Sequence, residues 1–151
     1  MRIKREGSEQ VELLAFSHPG DDPKNDMRIK STITRTGQGL VGWVLEHGQL
    51  VKSDNLSGDS RYIETYSGMK SGLYVPMNIF GNVIGCISVE SNQANAFTED
   101  DERLLITLAV QATVALENAR LFEAERRRRQ DAETLRQAAA ALTSSLELDQ
   151  V

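Results

Sequence analysis

The segment SGLYVPMNIFGNVIGCISVES, residues 71–91, constrains the fold of this chain more than any other part of its sequence. Two apolar runs flank the pair Gly81-Asn82, which predicts a β-hairpin with a two-residue turn. That turn sets the register and places Tyr74 opposite Val89. Both sides of the hairpin are then largely apolar, whereas a hairpin with one face in water alternates apolar and polar residues. We therefore expect other elements to cover both faces of the sheet.

The rest of the sheet is predicted from weaker signals. Pro76 falls inside the first strand of the hairpin, and because proline has no N–H to donate, we expect a bulge or a sheet edge there. Short alternating runs predict further strands. A helical pattern predicts a short helix that Gly48 ends, and polar composition predicts two irregular segments. The strands are at residues 2–6, 10–17 and 50–53, the helix at 40–47, and the irregular segments at 18–26 and 54–70.

From Thr98 onward the chain is predicted to be one long helix. Thr98 is the expected N-cap, and Asp101 takes the capping-box position. Apolar residues recur at spacings of three and four, which predicts a coiled-coil seam that serves as a dimer interface. The seam residues are Leu105, Leu108, Ala112, Ala115, Ala119 and Phe122. The run RRRR at residues 126–129 interrupts this series, and the apolar series that follows is out of phase, so we expect a local distortion there.

The sequence GQGLVG at residues 37–42 matches the pattern G-x-G-x-x-G of dinucleotide-binding sites. In those sites a buried strand precedes the glycines and a long helix follows them. Here polar residues precede the motif, and the helix that follows has about two turns. The motif is therefore predicted to be a tight turn into a short helix, with the nucleotide site as a minor alternative.

Composition restricts the partners of this chain. The net charge is −5 over 151 residues, which argues against a general nucleic-acid-binding role. No signal peptide and no apolar stretch long enough to span a membrane is recognised, so a cytoplasmic location without direct membrane contact is expected. The single cysteine, Cys86, excludes an internal disulfide. His18 and His47 lack neighbours at metal-ligand spacing, and no metal or cofactor is predicted.

Several of these segments together resemble the GAF domain, a sensory module of bacterial signalling proteins. They are GQGLVGWVLEHGQLVKSDNL, KSGLYVPM, VIGCISVES and FTEDDERLLITLAVQATVALENARLFEAE. The resemblance implies an α+β (GAF/PAS-like) fold, with a central antiparallel sheet, helices on both faces and a long C-terminal coiled-coil helix. We predict a sensory domain over residues 1–122 that lacks the family's usual first helix. Residues 123–151 are predicted to be a helical linker that begins a following domain.

The resemblance also implies a ligand pocket between the sheet and the irregular segment at residues 54–70. Its candidate contacts are Trp43, Tyr62, Tyr66 and Met69, although ordinary packing under a loop explains these side chains equally well. Cyclic-nucleotide-binding members carry an asparagine-lysine motif that is absent here. Cys86 is interpreted as a small core residue, because a reactive thiol needs exposure and positive neighbours.

Three functions stay open. The chain is expected to be a non-catalytic sensory module, from a sensor histidine kinase or a tandem-GAF protein. It would bind an unknown small molecule and pass a signal to an output domain as a parallel homodimer. The second function is a ligand-free dimerising spacer. The third is a small-molecule redox enzyme, since one branch of the family reduces free methionine sulfoxide. That branch relies on several cysteines, so we predict no catalytic residues and no enzyme.

Overall fold

The computed structural model describes residues 1–4, 10–13 and 34–148. The predicted loop at residues 18–26 and the distal ends of the first two predicted strands lie outside these ranges. Within them, six strands form one sheet of antiparallel neighbours in the order β3-β2-β1-β6-β5-β4. The elements are β1 (Arg2–Lys4), β2 (Gln10–Leu13), β3 (Thr34–Arg35), α1 (Gly39–His47), β4 (Val51–Ser53), a 3₁₀ turn (Leu56–Gly58), β5 (Ser71–Ile79), β6 (Asn82–Ser91) and α2 (Glu99–Leu148).

The hairpin of β5 and β6 forms as predicted, but its register differs from the prediction. The two turn residues are Phe80 and Gly81, both with positive φ (48° and 86°), as a type I′ turn requires. A register shift follows between Met77 and Asn78, so that Ile84 has no partner on β5. The predicted turn at Gly81-Asn82 was therefore wrong by one residue, and the bulge compensates for only part of the shift.

The bulge lies beside Pro76, which confirms the expectation that proline would interrupt the ladder. Strand β4 pairs with β5 only as far as Tyr74, so Pro76 lies beyond the end of that pairing. The register shift starts one residue after Pro76, at Met77. Pro76 is thus placed where β5 has a neighbour on one side only, and there its missing N–H is tolerated.

Both faces of β5 are buried, as the apolar hairpin predicted. On one face Tyr74 and Cys86 are 2% and 1% exposed and belong to the cluster that packs under α1. On the other face Leu73, Val75 and Met77 are also buried. Alternate residues of a strand point to opposite faces, so neither face of β5 is open to water. The α+β class with a central antiparallel sheet and a long C-terminal helix is confirmed.

Helix α2 begins with the predicted cap. The backbone N–H of Thr98 donates to the Asp101 carboxylate over 2.8 Å, and the Asp101 N–H donates to the Thr98 hydroxyl over 3.2 Å. This reciprocal pair satisfies two backbone groups at the helix start. The Thr98 hydroxyl also donates to Asp101, and these bonds hold the pKa of the exposed carboxyl below its usual value. The helix then runs without a break for 50 residues.

Contacts divide the chain into two compact units, Met1–Thr113 and Val114–Val151. The second unit is helical as far as Leu148, and its residues 118–142 are exposed. Salt bridges such as Arg136–Glu133, at 2.8 Å, connect successive turns. The predicted boundary between residues 122 and 123 stays a prediction.

By length and composition alone, Glu99–Leu142 contains a window that would suffice to cross a membrane. Only 17% of that window is buried. The expectation that the sequence holds no such stretch was therefore wrong, because the apolar residues of the predicted seam and those beside it fall in one window.

Candidate functional site

The glycines of GQGLVG build the entrance to α1. Gly37 and Gly39 have φ values of 80° and 68°, which disfavour any residue with a Cβ. The N–H of Gly37 donates to the carbonyl of Gly42 over 2.9 Å, and this bond closes the turn around Gln38. Among the described residues, the strand next before α1 is β3, which has two residues and is separated from the helix by a turn. The motif is thus a turn into a short helix, as predicted, and it lacks the strand-to-helix geometry of a dinucleotide site.

A cavity of about 210 Å³ lies between the start of α1, the segment at residues 54–70 and the sheet. That volume corresponds to about seven water molecules at their liquid volume, so it suits a small metabolite. It is lined by Arg2, Gln38, Gly39, Leu40, Val41, Tyr62, Ile63, Thr65, Tyr74 and Glu90.

The observed register brings the polar residues of the sheet to this cavity. Glu90 pairs with Gly72, two residues before Tyr74 on β5, so Glu90 and Tyr74 share one face. Arg2 pairs with Cys86 and joins the same face from β1. In the predicted register Tyr74 lay opposite Val89, which would have put Glu90 on the other face. The bulge between Met77 and Asn78 creates this part of the site, because it shifts the register by one residue, whereas the displaced turn alone shifts it by two and keeps every face.

Tyr74 holds the Glu90 carboxylate in place. The Tyr74 hydroxyl donates to Glu90 Oε1 over 2.6 Å. Burial, followed by the nearby negative charge of Glu90, raises the pKa of Tyr74 well above its ordinary value. The phenol therefore stays protonated and keeps donating at any physiological pH.

Tyr62 reaches the cavity from the opposite wall. Its hydroxyl is buried and makes no hydrogen bond within the described residues, even though the residue as a whole is only half-buried. Burial and then the Glu90 carboxylate raise the pKa of Tyr62, so its phenol is also neutral. Glu90 is thus near enough to act on Tyr62, and a direct contact between the two side chains adds to the raised pKa. That contact does not have the distance and angles of a hydrogen bond, so the hydroxyl is left without a well-placed acceptor. A buried hydroxyl without a partner costs free energy that a bound molecule would recover.

The cavity wall carries both signs of charge. Arg2 and Glu90 both line it, and both are half-buried. Among the ion pairs that the structure describes, neither residue takes part in one. A polar molecule with an acceptor at one end and a donor at the other fits these walls.

Of the four predicted ligand contacts, only Tyr62 lines the cavity. Trp43 and Met69 instead pack against the core cluster beneath α1. Tyr66 is half-buried outside the lining. The prediction placed aromatic residues of the irregular segment in the pocket and overlooked Tyr74 and Glu90. Glu90 had a detectable signal, since it is the only charged residue in the hairpin segment 71–91.

Trp43 takes part in a different cluster at the surface. Its ring stacks on His47 with centroids 4.2 Å apart and planes at 11°. The Arg61 guanidinium lies 4.8 Å from the centre of the Trp43 ring. Asp59 fixes that guanidinium through two bonds of 2.9 and 2.7 Å. The pair holds the pKa of the Asp59 carboxyl below its usual value, mainly through the hydrogen bond from Arg61.

Cys86 is a core residue, in agreement with the interpretation of the sequence. It is 1% exposed, and burial raises its thiol pKa to about 12. In the described part of the chain, no group of three or more His, Cys, Asp or Glu residues has the arrangement of a metal site.

The predicted dimer residues differ in their exposure. Leu105 is 6% exposed and belongs to the core of the first unit, so it is not available to a partner. Ala112 is half-buried. The exposed members are Leu108 (45%), Ala115, Ala119 and Phe122 (69%). The first leucine of the seam therefore packs within its own chain.

These features define a class of protein, a small α+β domain with a polar cavity between one sheet, a short helix and a connecting segment. A family model described as GAF domain matches residues 3–117, which is more than half of the chain. This chain therefore belongs to the GAF domain family.

Similar proteins include both large enzymes and single domains. The chain is 35% identical over 99 residues to the dual 3′,5′-cyclic-AMP and -GMP phosphodiesterase 11A of Takifugu rubripes, a match over 60% of this chain and 11% of that protein. It spans about a tenth of the length of such curated relatives. The GAF domain of an Acinetobacter phosphoenolpyruvate-protein phosphotransferase has a TM-score of 0.66 at 26% identity, over 80% of this chain and 70% of that one.

The free methionine-R-sulfoxide reductase of Neisseria meningitidis, solved with its substrate, has a TM-score of 0.67 at 22% identity, over 80% of this chain and 66% of that one. Reductases of this kind recur among the similar structures. The prediction that this chain is not an enzyme, which rested on its single cysteine, is therefore overturned, because enzymes recur among the structures that share its fold.

Proposed function

We propose that this domain binds a small polar molecule in the cavity beside Tyr62 and Glu90, and that binding regulates a larger protein. The observation that carries the proposal is the buried Tyr62 hydroxyl, which has no partner within the described residues and lines the same cavity as the Glu90 carboxylate. A cavity that served only as packing space would be expected to be apolar and dry.

Size and charge narrow the class of ligand. The cavity is smaller than the roughly 300 Å³ at which drug-sized sites begin. Arg2 offers a cation for an anionic group, and Glu90 offers an anion for an ammonium or a hydroxyl donor. A free amino acid or a close derivative carries both kinds of group, an anionic carboxylate for Arg2 and an ammonium for Glu90. The Neisseria reductase, whose name specifies free methionine-R-sulfoxide, supports the same class.

Calorimetry on the purified chain tests the proposal. We would titrate L-methionine-R-sulfoxide, L-methionine, cyclic AMP and cyclic GMP in turn. Tyr62→Phe should weaken binding of the accepted ligand by about two- to tenfold, the value of one neutral hydrogen bond. Tyr66→Phe is the matched control, because it removes the same hydroxyl from a tyrosine outside the cavity lining. A chain that binds none of a full panel of amino acids and cyclic nucleotides contradicts the proposal and favours the dimerising spacer.

A second candidate function is reduction of free methionine-R-sulfoxide, favoured by the recurrence of such reductases among the similar structures. The reaction converts the sulfoxide to a thioether and water with two electrons and two protons, which a dithiol supplies. Cys86 is the only cysteine in the chain. Formation of L-methionine in the presence of dithiothreitol, and its loss in Cys86→Ala, would establish this function.

We further propose that the regulatory output passes along α2 to a domain of the larger protein. The exposed seam residues Leu108, Ala115, Ala119 and Phe122 would form a parallel homodimer. Parallel pairing places both output ends at the same end of the two-fold axis. A cytoplasmic bacterial signalling protein, such as a sensor histidine kinase or a tandem-GAF protein, fits this arrangement.

A further inference from the structure

Glu90 lies between two tyrosines but accepts a hydrogen bond from only one of them. The Tyr74 hydroxyl donates to its carboxylate over 2.6 Å. The Glu90 side chain also contacts Tyr62, whose buried hydroxyl makes no hydrogen bond within the described residues. A carboxylate has lone pairs enough to accept from either phenol. A further feature of the structure therefore has to select Tyr74.

The Tyr74 side chain reaches Glu90 diagonally across the hairpin. In the observed register Tyr74 is opposite Ser88, whereas Gly72 is opposite Glu90. An aromatic side chain is long enough to cover such a diagonal between neighbouring strands. Because alternate residues of a strand share a face, the Tyr74 ring lies over position 72 when it makes this bond.

The ring fits over position 72 because glycine has no side chain there. A Cβ on Gly72 would lie 2.7 Å from Tyr74 Cε2 and 3.0 Å from the Tyr74 hydroxyl oxygen. Carbon atoms pack at about 3.5–4.0 Å, so the ring and a Cβ cannot both occupy this place. Tyr74 is buried in the core cluster, so making room for a Cβ moves its hydroxyl away from Glu90. A glycine inside a strand commonly marks a close approach of this kind.

We propose that Gly72 is a positioning residue that determines which tyrosine Glu90 holds. With glycine at this position Tyr74 occupies the carboxylate, and the Tyr62 hydroxyl at the cavity wall has no acceptor. With a side chain at this position Tyr74 is displaced, and Glu90 accepts the Tyr62 hydroxyl instead. The proposal rests on the proposed function, because it explains how the Tyr62 hydroxyl is kept available for a ligand. Gly72 does not line the cavity, so it acts only through Tyr74.

Urea denaturation of the ligand-free chain tests this exchange of partners. In the wild-type chain Tyr74→Phe should raise the equilibrium constant of unfolding about tenfold or more, whereas Tyr62→Phe should leave it nearly unchanged. In the Gly72→Ala chain we expect the reverse order, with Tyr62→Phe costly and Tyr74→Phe nearly neutral. A general loss of stability in Gly72→Ala would not reverse this order. The proposal is overturned if Tyr62→Phe stays neutral in Gly72→Ala or if Tyr74→Phe stays costly there.

A second set of variants covers the case in which Gly72→Ala alone does not fold. Tyr74→Leu removes the ring atoms that the added Cβ would meet, so Gly72→Ala should be tolerated in that background. Gly85→Ala is the matched control, because a Cβ there would meet the backbone carbonyl oxygen of Arg2 at 2.5 Å. Its cost should be the same with and without Tyr74→Leu. Gly72→Ala that is equally damaging in both backgrounds would place the clash elsewhere and overturn the proposal.

Neither set of variants uses a ligand, so the result is independent of the calorimetry. A chain that binds no member of the ligand panel but shows the exchange of tyrosines contradicts the proposed function and supports the role of Gly72. A chain that binds a ligand without that exchange supports the proposed function and overturns the role of Gly72.

Discussion

Tyr74 donates a hydrogen bond of 2.6 Å to Glu90, while the Tyr62 hydroxyl across the same cavity has no acceptor within the described residues. The two side chains thus carry the same phenol hydroxyl, but only that of Tyr74 makes a hydrogen bond. Tyr74 uses its hydroxyl to hold the Glu90 carboxylate, and the Tyr62 hydroxyl is the group that the proposed ligand would bind.

This contrast predicts unequal effects of the same substitution, tyrosine to phenylalanine, on the free energy of unfolding. Tyr74→Phe should lower the free energy of unfolding by about 1.5–3 kcal/mol, because it removes a bond to a charged acceptor. Tyr62→Phe should change it by less than about 0.5 kcal/mol, since no bond is lost. Urea denaturation measures both values. Equal losses in the two variants would contradict the assignment of Tyr62 as the unsatisfied group.

The backbone of Phe80 at the hairpin tip is strained, and one substitution should relieve this strain. Phe80 has φ of 48° and is fully exposed, a conformation that Asn and Gly adopt more readily than an aromatic residue. Phe80→Asn creates an Asn-Gly turn and should raise the free energy of unfolding by about 0.5–1 kcal/mol. Gly81→Ala, at a φ of 86°, is the opposite control and should destabilise the chain. Thermal denaturation distinguishes the two, and a destabilised Phe80→Asn would contradict the type I′ turn.

Cys86 predicts a loss of stability at alkaline pH. Its folded-state pKa is raised from 9.0 to about 12 by burial. The folded state therefore binds the proton more tightly, so this contribution is complete below pH 9 and falls as the pH rises toward 12. Between about pH 9 and 10 the wild-type chain should lose on the order of 1 kcal/mol that Cys86→Ala does not lose. Rapid alkylation of the native thiol by iodoacetamide at neutral pH would contradict its burial.

The two leucines of the predicted seam should respond differently to charge. Leu108→Glu introduces a charge at an exposed position and should weaken the proposed dimer without unfolding the chain. Sedimentation velocity would show the weaker dimer, and circular dichroism would show that the chain remains folded. Leu105→Glu buries the charge in the first unit and should unfold it. A wild-type chain that sediments only as a monomer at micromolar concentration would contradict the dimer.

Local patterns in the sequence were sufficient for much of the architecture. The apolar hairpin with burial on both faces, the interruption at Pro76 and the cap at Thr98 each depend on neighbours within a few residues. The turn before α1 likewise follows from the glycines that adopt positive φ there. Such features are readable because one or two residue types satisfy each local constraint.

The candidate site depended on the tertiary structure. The sequence placed Tyr74 and Glu90 on opposite faces, because its register did not include the one-residue shift at the bulge between Met77 and Asn78. The displaced turn alone changes the register by two residues and keeps every face, whereas the bulge changes it by one. A shift of one residue reverses the face of every side chain beyond it, and the choice between registers depends on packing against α1 and β1. Arg2, 88 residues from Glu90 by position, reaches the cavity only because β1 pairs with β6. Composition and spacing determined that this chain forms a covered sheet with a long helix, while the pairing of distant strands decided which polar groups meet in the cavity.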